Sequence, residues 1–144
     1  MNIGRILMTV AIAVFTFIPP FPDLGTETHV FHPEWLPHAR LHTVWLLGVT
    51  SGVGLVALYL LWGPRRDDAF CRNVAGALGM CVYGGFMLSA ATMSLYGGGL
   101  TDVHGGIEGT LLGIDANLAT FSIALIVLIA GWVMAARAPD ETQR

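Results

Sequence analysis

The chain has 144 residues, of which 54% are hydrophobic and only 12% are charged. Since soluble globular domains carry about 25% charged residues, this composition excludes an ordinary soluble domain and is typical of a polytopic membrane protein. The formal net charge of −3, with no basic stripe along the sequence, argues against a nucleic-acid partner.

Four apolar blocks are each long enough to cross a hydrocarbon core, which takes about 20 residues of helix. In chain order they cover about residues 3–18, 41–62, 74–96 and 110–136. A backbone in lipid must satisfy its own hydrogen bonds, so each block is predicted to be a helix. A cleaved signal peptide is disfavoured for the first block, because residues 17–22 contain no small-x-small cleavage motif. The sequence therefore predicts an all-α fold, a four-helix transmembrane bundle that forms a single domain over residues 1–144.

The distribution of arginine predicts the orientation of this bundle. Basic residues prefer the cytoplasmic side, and here they precede the first block, separate the second from the third and follow the fourth (Arg5, Arg65, Arg66, Arg72, Arg137 and Arg144). Both termini are therefore expected in the cytoplasm. The other two loops carry only Arg40 and are expected on the periplasmic or lumenal side, which makes Arg40 a candidate for ligand binding. A basic set without lysine favours a bacterial inner membrane.

All five histidines lie in segments that this orientation places outside. Four fall between residues 28 and 42 and one lies in the third loop: His29, His32, His38, His42 and His104. Histidine changes charge near neutral pH and is a common metal ligand, so chemistry is expected at this face. The loop of residues 19–40 is apolar and rich in proline, which predicts that it lies in the membrane interface with Trp35 at headgroup level.

The second and third blocks each carry polar or aromatic side chains on one face at the outer end. His38 and His42 are four residues apart and therefore share a helix face. Trp45 continues that face, and its ring could stabilise a cationic species. In the third block, the hydroxyls of Thr92 and Tyr96 lie toward the outer end.

The fourth block and the end of the first supply carboxyl groups. His104, Glu108 and Asp115 are spaced four and seven residues apart and are predicted to line one side of the fourth helix, with Asn117 nearby. Asp115 is predicted to lie inside the apolar boundary, where an ionisable group is costly and usually faces a cavity or a partner. The alternative, that Asp115 only marks the start of the helix, stays open. Asp23 follows the first block and is expected to turn back into the bundle.

The first hypothesis is a pocket for acid–base chemistry on a lipophilic small molecule that enters from the bilayer. One site can hold both an acid and a base when its surroundings separate their proton affinities. We expect His42 and Asp115 to handle the proton, with Asp23, His38 and Glu108 as positioning partners and no cofactor. The predicted substrate contacts are Trp35, Arg40, Trp45, Thr92, Tyr96 and Asn117.

Two other hypotheses remain open at this point. The histidines could bind a metal, with His29, His32, His38, His42 and His104 as nitrogen ligands suited to Zn, Cu or Fe. The chain could also be an accessory subunit without chemistry of its own, as a homodimer or within a larger membrane complex. Gly48 and Gly52 form a small-residue face that lets helices approach closely, and we expect that face to pack within the bundle.

Two short motifs resemble the emopamil-binding and sigma-two-receptor superfamily, whose members are four-helix (EXPERA) membrane proteins. The motifs cover residues 18–24 (IPPFPDL) and 33–35 (PEW). The resemblance implies a pocket for sterol-like or other polycyclic apolar ligands and, in the isomerase branch, movement of a double bond by protonation and deprotonation. It implies functional roles for Asp23 and for His42, which stands where the family has a glutamate. DoxX-like proteins are similar in architecture alone.

Overall fold

The computed structural model describes residues 2–27, 29–66, 68–100, 110–111 and 113–138. Most of these residues are helical. The helices are α1 (Ile3–Phe17), α2 (Pro20–Gly25), α3 (Pro37–Trp62), α4 (Ala69–Thr92) and α5 (Ala116–Arg137), and a short 3₁₀ helix (Met93–Leu95) extends α4. Two short strands, β1 (Thr110–Leu111) and β2 (Ile114–Asp115), pair antiparallel. Four spans, the first made of α1 with α2, are long and apolar enough to cross a membrane.

Three helix starts differ from those that hydropathy predicts. Helix α3 begins at Pro37 rather than near residue 41, because proline fits the first helical position, where its missing N–H costs nothing. Helix α4 begins at Ala69 rather than near residue 74, since Asp68 caps it by accepting a hydrogen bond from Phe70 N. Polar residues at a helix start lower the mean hydropathy there, so a hydropathy window does not detect the first turn.

The predicted start of the last helix at residue 110 is wrong. Thr110 and Leu111 pair with β2, and Gly113, with a φ of +79°, supplies the left-handed residue in the connection between the strands. The carboxylate of Asp115 accepts hydrogen bonds from Asn117 N at 2.9 Å and Leu118 N at 3.1 Å, so it is the N-cap of α5. Asp115 therefore marks the start of α5 and does not lie along the side of a longer helix.

The four long helices form a ring in which α1 and α4 each pack against both α3 and α5. The core between them is filled by large buried side chains: Met8, Ile12, Phe15, Leu61, Tyr83 and Leu128. The Tyr83 hydroxyl donates a hydrogen bond of 2.5 Å to the Ala11 carbonyl oxygen, and Ser51 Oγ donates one of 2.9 Å to Thr16 O. These bonds join α4 and α3 to α1 in an otherwise apolar interior.

Glycines set the closest helix contacts. A Cβ atom on Gly131 would lie 2.8 Å from Gly4 O and from Met8 N, so α1 and α5 meet backbone to backbone. The expectation that Gly48 and Gly52 pack within the bundle is wrong. Both glycines are exposed, and a Cβ atom on either would have no described atom of another element within 4 Å.

The two ends of the bundle differ in character. At one end, here called the basic end, α1 and α4 begin and α3 and α5 end. There Arg5 Nη2 donates to Arg66 O at 2.9 Å, and the Arg5 guanidinium lies over the Trp62 ring at 5.6 Å. The opposite end, here called the loop end, holds α2, residues 26–27 and 29–36, and the β1–β2 hairpin. Arg40 lies at this end.

Candidate functional site

A cavity of about 430 Å³ opens at the loop end between the C-terminal end of α1, helix α2, α4 and the start of α5. Val14 and Ile18 form an apolar wall, and Phe86 and Phe121 form the floor. The polar lining groups belong to Asp23, His29, Ser89, Tyr96, Asn117 and Thr120. A mostly apolar cavity of this size with a few convergent polar groups is typical of small-molecule sites.

Helix α2 brings the Asp23 carboxyl group to the cavity. Helix α1 ends before Pro19, and Pro20 occupies the first position of α2, where its fixed φ is already helical. The Asp23 N–H donates to Pro19 O at 3.1 Å, which closes the first turn of α2. The Asp23 side chain is 19% exposed, so the carboxyl group lies partly among apolar side chains rather than in open solvent.

His29 is the partner of Asp23. Its Nδ1 atom lies 3.2 Å from Asp23 Oδ1, and Val30 N donates to Asp23 O at 3.3 Å, so the returning loop is held to α2 by backbone and side chain. A partly buried carboxylate is costly unless it is paired and hydrogen-bonded. The imidazole of His29 supplies that pairing.

Arg40 and Trp35 hold the loop that carries His29. Arg40 Nη2 donates to His32 O at 2.8 Å, and Arg40 Nε donates to Trp35 O at 3.1 Å. The Trp35 ring packs edge to face against the His29 ring, with centroids 5.4 Å apart. The described residues that line the cavity include neither Trp35 nor Arg40. Arg40 therefore binds backbone carbonyl groups of the loop and contacts the cavity only indirectly, through that loop.

The part of the cavity lining that α4, Tyr96 and α5 contribute carries hydroxyl and amide groups. Tyr96 OH lies 2.8 Å from both the carbonyl oxygen and the hydroxyl of Ser89. Since a phenol has one hydrogen, its donation to the carbonyl leaves the Ser89 hydroxyl as donor to Tyr96. Asn117 Nδ2 donates to Leu100 O at 3.2 Å. Thr92 Oγ1 instead donates to Leu88 O within its own helix, and the described lining does not include it.

The floor of the cavity continues as a column of aromatic rings into the core. Phe86 and Phe121 stack with centroids 4.1 Å apart, and Tyr83 meets Phe121 edge to face at 5.7 Å. Phe15 then meets Tyr83 edge to face at 5.5 Å. Because Tyr83 and Phe15 are fully buried, this floor is supported from below.

The predicted proton-handling residues His42 and Asp115 are not among the described residues that line the cavity. His42 is exposed on α3, where its Nε2 atom lies 3.0 Å from His38 Nε2. Trp45, 63% exposed, continues this surface, with its ring 5.7 Å from that of His42. Asp115 caps α5, although its neighbour Asn117 does line the cavity.

The predicted metal ligands that the structure describes make different side-chain contacts. His29 pairs with Asp23, His32 accepts a hydrogen bond from Glu34 N through Nδ1, and His38 meets His42. His104 and Glu108 lie outside the described residues. Within the described part of the chain, no three His, Cys, Asp or Glu side chains gather in a way that could hold a metal ion. A histidine-bound metal stays a prediction.

Sequence reasoning assigned Asp23, Tyr96 and Asn117 to a pocket, and all three line this cavity. It considered His29 only as a metal ligand and did not consider Phe86, Phe121 or Thr120. The position of His29 was a possible signal. The Pro-rich segment before Asp23 turns the chain back, and His29 follows Asp23 closely in the sequence. The phenylalanines gave no signal, because aromatic residues in an apolar block are indistinguishable from ordinary core.

No protein-family model matches this chain, and no curated protein or solved structure is similar enough to match it. The resemblance to the emopamil-binding superfamily therefore stays a prediction. Of the two positions that it singles out, Asp23 lines the cavity, whereas His42 lies on the exposed face of α3.

Proposed function

We propose that this chain is an integral membrane enzyme that binds a lipophilic small molecule in the loop-end cavity and moves a proton on it by acid–base chemistry. The observation that carries the proposal is the Asp23–His29 pair, with 3.2 Å between Oδ1 and Nδ1, in a mostly apolar cavity of about 430 Å³. The cavity favours this pair over His42 and Asp115, which are not among its described lining residues.

The membrane part of the proposal is supported by the four apolar spans and by the charge of the two ends. Arg5, Arg65, Arg66, Arg72 and Arg137 all belong to the basic end, as the ends of α1, α3, α4 and α5 show. Because basic residues favour the cytoplasm, the basic end faces inward and the cavity faces the periplasm of a bacterial inner membrane.

The chemistry is a proton shift of the isomerase kind. The acid of the pair adds a proton to one carbon of the double bond of an unsaturated ligand, which gives a carbocation, and its conjugate base then removes a proton from another carbon, so that the double bond moves. No electrons are gained or lost, and no co-reactant is needed. General acid–base catalysis of this kind contributes roughly 10²–10⁴-fold to a rate. The stacked faces of Phe86 and Phe121 would stabilise a cationic intermediate.

Ligand retention tests the binding half of this proposal. The protein is purified in detergent, and lipophilic molecules that remain bound are extracted and identified by mass spectrometry. We expect a bound molecule in the wild type and a several-fold loss in a variant that fills the cavity, Ala90→Trp. Ala91→Trp is the matched control, because Ala91 is exposed on the same helix and is not among the described lining residues. Equal retention in both variants would contradict a ligand in this cavity.

A further inference from the structure

A second, smaller cavity forms a groove of about 200 Å³ between α1 and α5. Val10 and Val14 of α1 form one side, and Ile123 and Val127 of α5 form the other. Leu111 of the β1–β2 hairpin and Thr120 lie at the end of the groove nearest the loop end. The groove is open to the outside of the bundle, where Val10 is 51% and Ile123 is 49% exposed.

The groove and the loop-end cavity adjoin each other. Val14 and Thr120 line both of them, so this pair of side chains lies at the boundary between the two spaces. From Thr120 to Val127, the groove follows α5 over roughly 10 Å, at a helical rise of about 1.5 Å per residue. A ligand in the cavity can therefore extend along α1 and α5 toward the middle of the bundle.

The two spaces differ in chemistry. None of the described residues that line the groove is charged, and Thr120, at its junction with the cavity, is the one with a hydroxyl group. The cavity in contrast presents the Asp23–His29 pair, Tyr96 and Asn117. A small apolar groove beside a larger cavity that carries polar groups fits a molecule with a linear hydrocarbon tail and an uncharged polar head. An anionic head would meet the Asp23 carboxylate.

Entry into the groove from the bilayer also costs such a molecule little free energy. Lipid tails are as apolar as the side chains of the groove, so a tail that moves from the bilayer into the groove loses no solvation. Affinity then comes mainly from the head in the cavity, while the small volume of the groove, about 200 Å³, favours a linear tail. A fused-ring ligand would fit the cavity but not extend into the groove.

Resting on the function proposed above, we infer that the ligand is a single-chain amphiphile whose uncharged polar head occupies the loop-end cavity and whose linear tail lies in the α1–α5 groove. The head reaches Asp23 and His29, and the tail passes between Val14 and Thr120. This names the ligand class as an unsaturated long-chain or isoprenoid alcohol rather than a compact polycycle.

Photo-crosslinking with two probes tests this inference. One probe is a long-chain fatty alcohol with a diazirine in the middle of its chain, and the other is a sterol with a diazirine on its ring. We expect the alcohol to label α1 and α5 residues of the groove in the wild type and to be displaced by excess unlabelled alcohol. Ile123→Trp should fill the groove and lower this labelling several-fold. Ile126→Trp, at a more exposed position on the same helix that is outside the described lining, should leave it unchanged.

The two probes separate the failure of this inference from the failure of the proposed function. If the sterol labels the cavity floor at Phe86 or Phe121 and the alcohol labels α1 and α5 equally in both variants, the tail groove is wrong while the cavity stands. If excess unlabelled alcohol does not displace the alcohol labelling, the probe reacts from bulk lipid. That result also contradicts a tail in the groove. If the sterol does not label the cavity floor and excess alcohol displaces no labelling of the groove either, the proposed function itself fails. Thermal unfolding of both variants checks that they fold.

Discussion

Arg40 shows how a charged residue at the loop end can serve the site without lining it. Its guanidinium donates to the carbonyl groups of His32 and Trp35, and Trp35 packs against His29. The planar fork of arginine suits two fixed acceptors, which a lysine could not reach with the same geometry. Arg40 is therefore a positioning residue, which acts on the Asp23–His29 pair through the loop.

Arg40→Gln should loosen this loop without unfolding the bundle. Hydrogen bonds to a charged group contribute about 1.5–3 kcal/mol, so the amides of the loop should exchange about tenfold faster or more. The amides to follow by hydrogen–deuterium exchange are those of Val30, His32 and Trp35, which are all hydrogen-bonded.

The control for Arg40 is Arg65→Gln, since Arg65 makes an exposed ion pair with Asp68 at the opposite end. Surface pairs contribute little, so exchange in the loop should stay at the wild-type rate. Unchanged exchange in Arg40→Gln as well would show that the loop does not depend on Arg40.

At the scale of elements, hydropathy predicts the four spans because long apolar blocks have few alternatives in lipid. It does not predict where α5 begins, since the turn at Gly113 and the cap at Asp115 are local backbone features inside an apolar block. Asp23 could be assigned to a pocket because Pro22 and the end of α1 redirect the chain. The contact with His29 depends on the path of the loop, which the Arg40 hydrogen bonds determine.

The closest element contact, between α1 and α5, can be tested with a pair of glycine substitutions. Gly131→Ala would place a methyl group 2.8 Å from backbone atoms of Gly4 and Met8, which cannot shift cheaply. Overpacking of this kind costs about 1–3 kcal/mol, so the free energy of unfolding and the melting temperature should fall.

Gly48→Ala is the matched control for Gly131→Ala. No described atom of another element lies within 4 Å of the added methyl group, and alanine favours a helix over glycine by about 1 kcal/mol. Thermal unfolding in one detergent should therefore show Gly48→Ala as at least as stable as the wild type. Equal destabilisation by both substitutions would contradict the backbone contact between α1 and α5.

For the whole molecule, the orientation of the bundle decides whether the cavity faces the periplasm or the cytoplasm. Glu27 is exposed at the loop end, and Arg65 is exposed at the basic end. In a background without Cys71 and Cys81, Glu27→Cys should react with a membrane-impermeant maleimide added to intact spheroplasts. Arg65→Cys should react only after permeabilisation. The reverse pattern would place the cavity in the cytoplasm.

In the proposed function, Asp23 and His29 move a proton on a lipophilic ligand. The most direct measurement is deuterium uptake by the ligand that the purified protein retains, after incubation in D₂O and removal of deuterium from oxygen and nitrogen in H₂O. We predict carbon-bound deuterium with the wild type and with Glu27→Gln, which removes an exposed carboxylate of the same loop end. Asp23→Asn should bind the ligand without labelling it. Equal deuterium with Asp23→Asn, or none with the wild type, would contradict this function.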